Sequence, residues 1–215
     1  MAARPTYATA RQYRTSQVAI AGGLLAILAI VTVVVSIFAA SQFIGGSRSK
    51  CTANCAPRIV TPLSESNTYT SASYKFQVDY SSDWTVRSQD ATGISLGTKI
   101  GSLQVAGMNS GRTLGQVLQS TVSALPSAQW QDVAQVSDLK GARIGDQDGI
   151  GAVYSANRIG TNSTSVKVRF AVIVATRGGV TVVIFAADPA DPTNSPHGMS
   201  EGQEFDYLCT EFRWA

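Results

Sequence analysis

The strongest strand signal lies at residues 165–187, which read SVKVRFAVIVATRGGVTVVIFAA. β-Branched and aromatic residues dominate both halves of this stretch, as is typical of strands. The halves meet at Arg177-Gly178-Gly179, where glycine supplies the positive φ that a tight hairpin requires. The stretch therefore predicts two antiparallel strands, 165–176 and 180–187, joined by a short turn.

Further strands are predicted on the N-terminal side of this hairpin. Apolar and polar residues alternate strictly over 74–80, which indicates a half-buried strand. A hairpin turning at Gly101 is predicted between two more strands. The other predicted strands cover residues 84–87, 94–100, 102–108, 130–139 and 150–159. Residues 140–149, with three glycines, are interpreted as a turn, and the Pro-rich stretch 188–197 as a loop.

Two helices complete the predicted pattern. Thr113 is a candidate N-cap for a helix whose apolar residues recur at helical spacing until Pro126. A closing helix is predicted over about 199–213, with an apolar stripe made by Phe205, Leu208, Cys209 and Phe212. Two helices separated by runs of antiparallel strands predict an α+β sandwich.

The opening strand also carries a resemblance to a known family. The pattern Tyr74-x-Phe76-x-Val78-x-Tyr80, followed by Trp84, resembles the start of PsbP-like domains, with Ser81 in place of their usual proline. The order of elements over 70–215 and the terminal Phe212-Arg213-Trp214 are similar too. The resemblance implies an antiparallel β-sheet flanked by helices, an α/β/α sandwich. It also implies a non-catalytic role, here as a bacterial membrane-anchored member of the family.

A long apolar run precedes this domain. Residues 18–40 read VAIAGGLLAILAIVTVVVSIFAA, and no charged residue lies between Arg14 and Arg48. As a helix the run would span about 34 Å, enough for a bilayer core of about 30 Å. It is longer than the apolar core of a cleaved signal, although Ala39-Ala40-Ser41 weakly resembles a cleavage site. We therefore predict one retained transmembrane helix, with a cleaved signal as the alternative.

The flanks of this run bear on its orientation. Residues 1–17 form a short cationic tail, and residues 41–72 have the polar composition of a flexible stalk. Cations lie on both sides, so the positive-inside rule barely discriminates. The close pair Cys51 and Cys55 suits an oxidising compartment. The expectation is a single-pass cell-membrane protein with a cytoplasmic N-terminus and an extracytoplasmic domain over 73–215.

Small residues recur within the apolar run. Ala19 with Gly23, and Gly22 with Ala26, have the spacing that lets membrane helices approach closely. One interpretation is a homodimer through the transmembrane helix. The other is the ordinary composition of such helices.

The charge distribution argues against nucleic acid as a partner. All fourteen acidic residues follow Ile59, against eleven of the seventeen Lys and Arg, so the distal domain has a formal charge of about −3. Nucleic-acid binding requires clustered cations on a domain surface, which this balance argues against.

Few residues offer recognisable chemistry. His197 is the only histidine, so a Ser-His-Asp or Cys-His site would need it, but it lies in a Pro-rich stretch typical of a solvated turn. The acidic stretches 146–149 and 188–191 could be part of a calcium loop or simply turns. Gly149-Ile150-Gly151 begins a Gly-x-Gly pattern, but a strand follows where a dinucleotide site needs a helix. No catalytic residue, cofactor or metal is expected.

The three cysteines cannot all pair within one chain. Cys51 and Cys55 are predicted to form a small structural disulfide, with a redox pair or an intermolecular bridge as alternatives. Cys209, on the apolar stripe of the closing helix, is then a buried thiol. Asn162-Ser163-Thr164 is a glycosylation sequon, relevant only in a host that glycosylates.

These observations predict a membrane-anchored extracytoplasmic binding or scaffold protein rather than an enzyme. Its partner would be an unknown protein or an envelope ligand. One alternative is a membrane-tethered sensor or regulator, although residues 1–17 are too short for a folded output domain. The other is an anchored envelope hydrolase.

Overall fold

The computed structural model describes residues 66–160 and 162–215. The predicted tail, the apolar run, the stalk as far as residue 65 and the pair Cys51 and Cys55 lie outside these residues. Among the helices described, none has the length and apolar character needed to cross a bilayer.

The described chain forms strands and helices in the following order. The first five strands are β1 (Ser66–Thr70), β2 (Gln77–Ser81), β3 (Thr85–Gln89), β4 (Gly93–Gly97) and β5 (Ser102–Asn109). Helix α1 (Leu114–Ser123) follows them. The remaining strands are β6 (Trp130–Asp138), β7 (Arg143–Ile144), β8 (Gln147–Ile159), β9 (Ser165–Arg177) and β10 (Val180–Pro189). A single 3₁₀ turn (Pro196–Gly198) and helix α2 (Gly202–Thr210) end the chain.

The strands assemble into one large sheet and one small one. The large sheet has the order β3-β4-β5-β10-β9-β8-β6, with β7 paired to β8, and β1 pairs with β2. The pairings in both sheets are antiparallel. A mainly antiparallel sheet with two helices confirms the predicted α+β class. At the predicted hairpin, Arg177 pairs with Val180, and Gly178 and Gly179 adopt positive φ values of 59° and 85°.

Each face of the large sheet carries one helix. Side chains alternate along β9 and β10, so Phe170 and Phe185 face α1 whereas Ile184 and Ala186 face α2. On the α1 face the core includes Val117 and Leu118, the buried residues of that helix. On the other face, α2 and the β1–β2 pair cover a second core. The helices therefore flank the sheet, as the sequence predicts.

Helix α1 begins at the predicted N-cap. The Thr113 hydroxyl accepts a hydrogen bond from the backbone N–H of Gln116 at 3.3 Å, and the Gln116 side chain accepts one from the backbone N–H of Thr113 at 3.0 Å. This reciprocal capping box satisfies backbone donors that the first turn would otherwise leave unpaired. It fixes where the helix starts above the sheet.

The structure corrects the predicted boundaries at four places. The strand predicted over 74–80 begins only at Gln77, because Tyr74 lies in a turn and Lys75 has a φ of 64°. Ser66–Thr70 lies in the stretch predicted as stalk but forms β1. Its composition is polar and Tyr69 is its one buried side chain, so the sequence shows no alternation of apolar and polar residues there. The closing helix covers only Gly202–Thr210, because Arg213 leaves the helix to pair with Gln77. The predicted turn 140–149 contains β7 and the start of β8.

Candidate ligand-binding groove

A groove of about 400 Å³ lies between helix α1 and the sheet edge formed by β6 and β8. Its volume falls in the range of small-molecule sites, about 300–1,000 Å³. The helix contributes Gly115, Leu118 and Gln119. The sheet side contributes Gln135, Asp138, Leu139, Gly149, Ile150, Gly151, Ala152 and Tyr154.

The helix wall follows from the spacing of its residues. Gly115, Leu118 and Gln119 stand at i, i+3 and i+4, so they share one face of α1. A Cβ at Gly115 would meet no atom of the described structure within 4 Å, so space opens beside the first turn. Val117 and Leu118 anchor the helix on the sheet at the same time.

The floor is part of strand β8. Ile150, Ala152 and Tyr154 alternate along the strand and therefore share one face. The small side chain of Ala152 leaves room between its larger neighbours. The Tyr154 ring stacks on Phe170, with centroids 5.0 Å apart and an angle of 11° between the rings, so the ring is held in place.

The opposite wall is the end of β6. The backbone N–H of Leu139 donates to the carbonyl of Gly151 at 2.8 Å, and a Cβ at Gly151 would lie 3.1 Å from Leu139 Cδ1. Glycine at this position thus allows Leu139 to approach β8 closely. The register of β6 shifts between Gln135 and Ser137, which turns the end of the strand relative to the sheet.

The Tyr154 hydroxyl is buried without a partner. The residue is only 4% exposed, and the hydroxyl has no hydrogen-bond partner within the part of the chain that the structure describes. A buried hydroxyl without a hydrogen bond costs free energy of folding, about 1–3 kcal/mol. Burial, with a contribution from the charge of Asp138, raises the pKa of Tyr154 above its usual value. Tyr154 is therefore neutral at pH 7 and retains both a donor and an acceptor.

Asp138 supplies the negative charge of the groove. One of its carboxylate oxygens, Oδ1, accepts a hydrogen bond of 2.7 Å from the side-chain amide of Gln135. Since a carboxylate can accept about four hydrogen bonds, Asp138 can still accept hydrogen bonds from a ligand. Among the described residues that line the groove, Asp138 is the one acidic residue, and Lys, Arg and His are absent.

Apart from Gly149, Ile150 and Gly151, which line the groove, the residues singled out in the sequence lie elsewhere. His197 is exposed in the 3₁₀ turn with a φ of 55°, consistent with a turn residue. Asp146 pairs with Arg177 at 3.0 Å and Asp148 with Arg143 at 3.3 Å, so both serve the turns around β7. Cys209 is buried, as predicted.

Asp188 is the clearest correction among these residues. The prediction of a loop places it in solvent, whereas it is 1% exposed at the end of β10. The composition of the stretch, rich in Pro and Asp, indicates a loop but gives no sign that the first Asp turns inward.

Sequence reasoning also missed the groove. Asp138 and Tyr154 belong to strands that the sequence predicts, but they lie sixteen positions apart in the chain and meet only through the pairing of β6 with β8. The one local signal was Gly149-Ile150-Gly151. Its glycines indicate a close approach of backbone, although not to a phosphate.

Comparisons with known proteins bear on the fold. No protein-family model and no curated protein matches this sequence. Among solved structures, the chain is similar to a Bacteroides thetaiotaomicron protein, to the Saccharomyces cerevisiae Ran-binding protein Mog1p and to the cyanobacterial PsbP of Synechocystis sp. PCC 6803. The identities are 10%, 11% and 12%, and the TM-scores are 0.44, 0.48 and 0.47.

The alignments cover 69%, 70% and 76% of this chain and 48%, 95% and 99% of those proteins, in the same order. The chain thus spans about half the length of the Bacteroides protein. Since the three TM-scores lie below 0.5, these similarities do not show a family or a function.

Proposed function

We propose that this protein is a membrane-anchored binding protein. Its distal domain holds a small ligand in the groove between α1 and the β6–β8 edge without transforming it. The domain lies outside the cytoplasm, and the apolar run 18–40 keeps it at the membrane. Membership of the PsbP-like family, from the Tyr74–Tyr80 pattern and Trp84, is part of the same proposal.

The observation that carries the binding role is the buried, unpartnered hydroxyl of Tyr154 beside a groove of ligand size. Folding alone does not require this hydroxyl, because phenylalanine would fill the same space on Phe170 without the cost of an unpaired polar atom. A ligand or its bound water would satisfy it once the lining moves enough to expose the buried hydroxyl to the groove. The mixed lining of apolar and polar groups is typical of small-molecule sites.

The anchor rests on the sequence. Residues 18–40 contain no charge, and a helix of this length in water would expose apolar side chains on all sides. The anchor would concentrate the binding domain at the membrane surface, next to a partner or an envelope ligand.

The binding role is tested by filling the groove. Gly115→Leu adds a side chain where the structure leaves space, and the full chain is purified in a mild detergent. Ligand-observed NMR is recorded with a fixed set of small amines, carboxylates, alcohols and sugars. Gly111→Leu is the matched control, because a Cβ there also meets no described atom within 4 Å and Gly111 does not line the groove.

The expected result is at least one compound class whose signal is lost in Gly115→Leu and kept in Gly111→Leu. An identical set of signals in the wild type and Gly115→Leu would remove the groove as the binding site.

The anchor is tested separately in a bacterial host. The intact chain should sediment with membranes and be released only by detergent. After reduction, a membrane-impermeant thiol reagent should label Cys51 on intact cells. Recovery of the unprocessed chain in the aqueous fraction would contradict the anchor, and labelling only after permeabilisation would reverse the orientation.

A further inference from the structure

We propose that the groove binds a primary ammonium group on a short aliphatic chain. This inference rests on the proposed binding function and specifies the ligand class of the same groove. The ammonium would lie against the Asp138 carboxylate, and the aliphatic part against the apolar residues of both walls.

Charge is the first argument. The lining contains the Asp138 carboxylate and no Lys, Arg or His, so the groove carries one formal negative charge. An anionic ligand would meet repulsion with no compensating cation. A cationic ligand gains a charge-assisted hydrogen bond, which is stronger than one between neutral groups.

Hydrogen-bonding capacity is the second argument. An ammonium group has three donors and no acceptor, so it requires a cluster of acceptor oxygens. Asp138 offers its carboxylate, and its charge is close enough to affect the Tyr154 hydroxyl. Gln119 and Gln135, whose side-chain carbonyls are further acceptors, belong to the same lining. These groups come from α1, β6 and β8, so only the folded domain assembles them.

The third argument is the apolar lining. Leu118 on the helix, Leu139 at the end of β6 and Ile150 on β8 contribute aliphatic surface to the groove. Ile150 is 37% exposed, so a bound alkyl chain would cover surface that is otherwise in contact with water. Burial of methylene groups stabilises the complex, which favours an alkylammonium over an ammonium ion alone.

The test uses n-butylammonium as the probe on the full chain at pH 7 in a mild detergent. Butyrate and n-butanol are the controls, because they keep the alkyl chain and change only the head group. The variants are Asp138→Asn, which removes the charge and keeps the shape of an exposed side chain, Gly115→Leu and the matched Gly111→Leu.

The expected result is binding of butylammonium that is at least about tenfold tighter than binding of butyrate or butanol. Asp138→Asn should weaken it by about tenfold, Gly115→Leu should abolish it, and Gly111→Leu should leave it unchanged. A further measurement compares the affinity for N-acetyl-lysine amide with the affinity for butylammonium. Tighter binding of this compound would assign the ammonium to a peptide side chain, and tighter binding of butylammonium would assign it to a free amine.

The outcomes against the inference are distinct from those against the function. If butyrate or butanol binds as well as butylammonium, or Asp138→Asn has no effect, the ammonium class is wrong while a groove ligand remains. If butylammonium does not bind but another class of compound gives a signal that is lost in Gly115→Leu, the ammonium class is also wrong and the groove remains a binding site. If no signal depends on Gly115, the inference and the proposed function both fail.

Discussion

The backbone N–H of Glu201 donates a 2.8 Å hydrogen bond to Oδ2 of Asp188, and both acidic side chains are buried. Glu201 in turn accepts hydrogen bonds from the Thr98 hydroxyl and, at 3.0 Å, from the backbone N–H of Lys99. These contacts join the end of β10, the start of α2 and the β4–β5 turn. The other oxygen of Asp188, Oδ1, has no such partner among the described residues.

The two carboxyl groups face each other across Gly101. A Cβ at Gly101 would collide with Asp188 Oδ1 and lie 3.1 Å from Glu201 Oε2. Burial, together with the nearby Glu201, raises the pKa of Asp188 to about 8. Glu204 adds further negative charge, and Arg169 stands opposite Asp188 on β9. A proton on Asp188 removes its electrostatic repulsion with the nearby Glu201.

The first prediction is a loss of stability as the pH rises. The folded chain holds this proton up to about pH 8, whereas an unfolded Asp releases it near 3.8. The proton therefore stabilises the folded state fully below pH 4, and this contribution disappears as the pH rises toward 8. Asp188→Asn should flatten the dependence and raise the free energy of unfolding at pH 8 by roughly 1–3 kcal/mol. Denaturant titration followed by tryptophan fluorescence at pH 5 and pH 8 measures both.

Asp83→Asn is the control for this prediction, because Asp83 is exposed in the turn before Trp84. It should keep the pH dependence of the wild type. Equal pH dependence in the wild type and Asp188→Asn would show that Asp188 does not hold a proton in the folded chain.

The second prediction concerns the C-terminal segment. Phe212 is 3% exposed and stacks on Phe76 with centroids 5.1 Å apart. Phe212→Ala should lower the free energy of unfolding by about 3–5 kcal/mol, because a large buried side chain is lost and a cavity remains. Arg213→Ala is the matched control. It removes a bidentate ion pair with the half-buried Asp79, at 2.8 and 2.9 Å, which contributes about 1 kcal/mol. Similar losses in the two variants would contradict this account.

The third prediction separates stability from binding at Tyr154. Tyr154→Phe keeps the ring on Phe170 and removes the unpaired hydroxyl, so the free energy of unfolding should rise by about 1 kcal/mol. Butylammonium binding should weaken several-fold in the same variant. Thermal melts and the NMR titration measure the two effects. A destabilised variant with unchanged binding would mean that the hydroxyl serves the fold.

The fourth prediction concerns Gly115, the position used to fill the groove. It lies in the first turn of α1, and its Cβ would meet no described atom within 4 Å. Gly115→Ala should raise the free energy of unfolding by about 0.5–1 kcal/mol, because alanine favours the helix. A loss of stability would show that the space beside the helix is filled, and Gly115→Leu would then have to be replaced as the blocking variant.

The fifth prediction concerns thiol reactivity. Burial, with a smaller effect of Asp206, raises the pKa of Cys209 to about 12, so the thiol is protonated and inaccessible at pH 8. In a Cys51→Ser/Cys55→Ser variant, maleimide should label Cys209 only after denaturant is added. In the wild type without reductant, a Cys51–Cys55 disulfide should leave no additional thiol to label. Mass spectrometry reads both, and rapid labelling of native Cys209 would contradict its burial.

Several elements follow from short stretches of sequence. The β9–β10 hairpin needs two β-rich runs and two adjacent glycines with positive φ, which are all local features. Helix α1 likewise begins where Thr113 and Gln116 satisfy each other's backbone donors. The alternation that predicts strands also predicts which side chains are buried, and Phe76 and Val78 are fully buried as expected.

Other features could not be predicted because they depend on tertiary packing and not on a local sequence pattern. Strand β1 exists because β2 supplies its hydrogen bonds and the core accepts Tyr69. The burial of Asp188 depends on Glu201 and on the turn that ends at Gly101.

The sequence alone was thus sufficient to predict the α+β class, the hairpin and the start of α1, and it is the basis for predicting an apolar anchor. Each of these depends on residues that are close together in the sequence. The groove, the buried acid pair and the pairing of the C-terminal segment with β2 required the folded chain. Their free energies depend on burial and on contacts between groups that are neighbours only in space, and composition and periodicity carry no information about such distances.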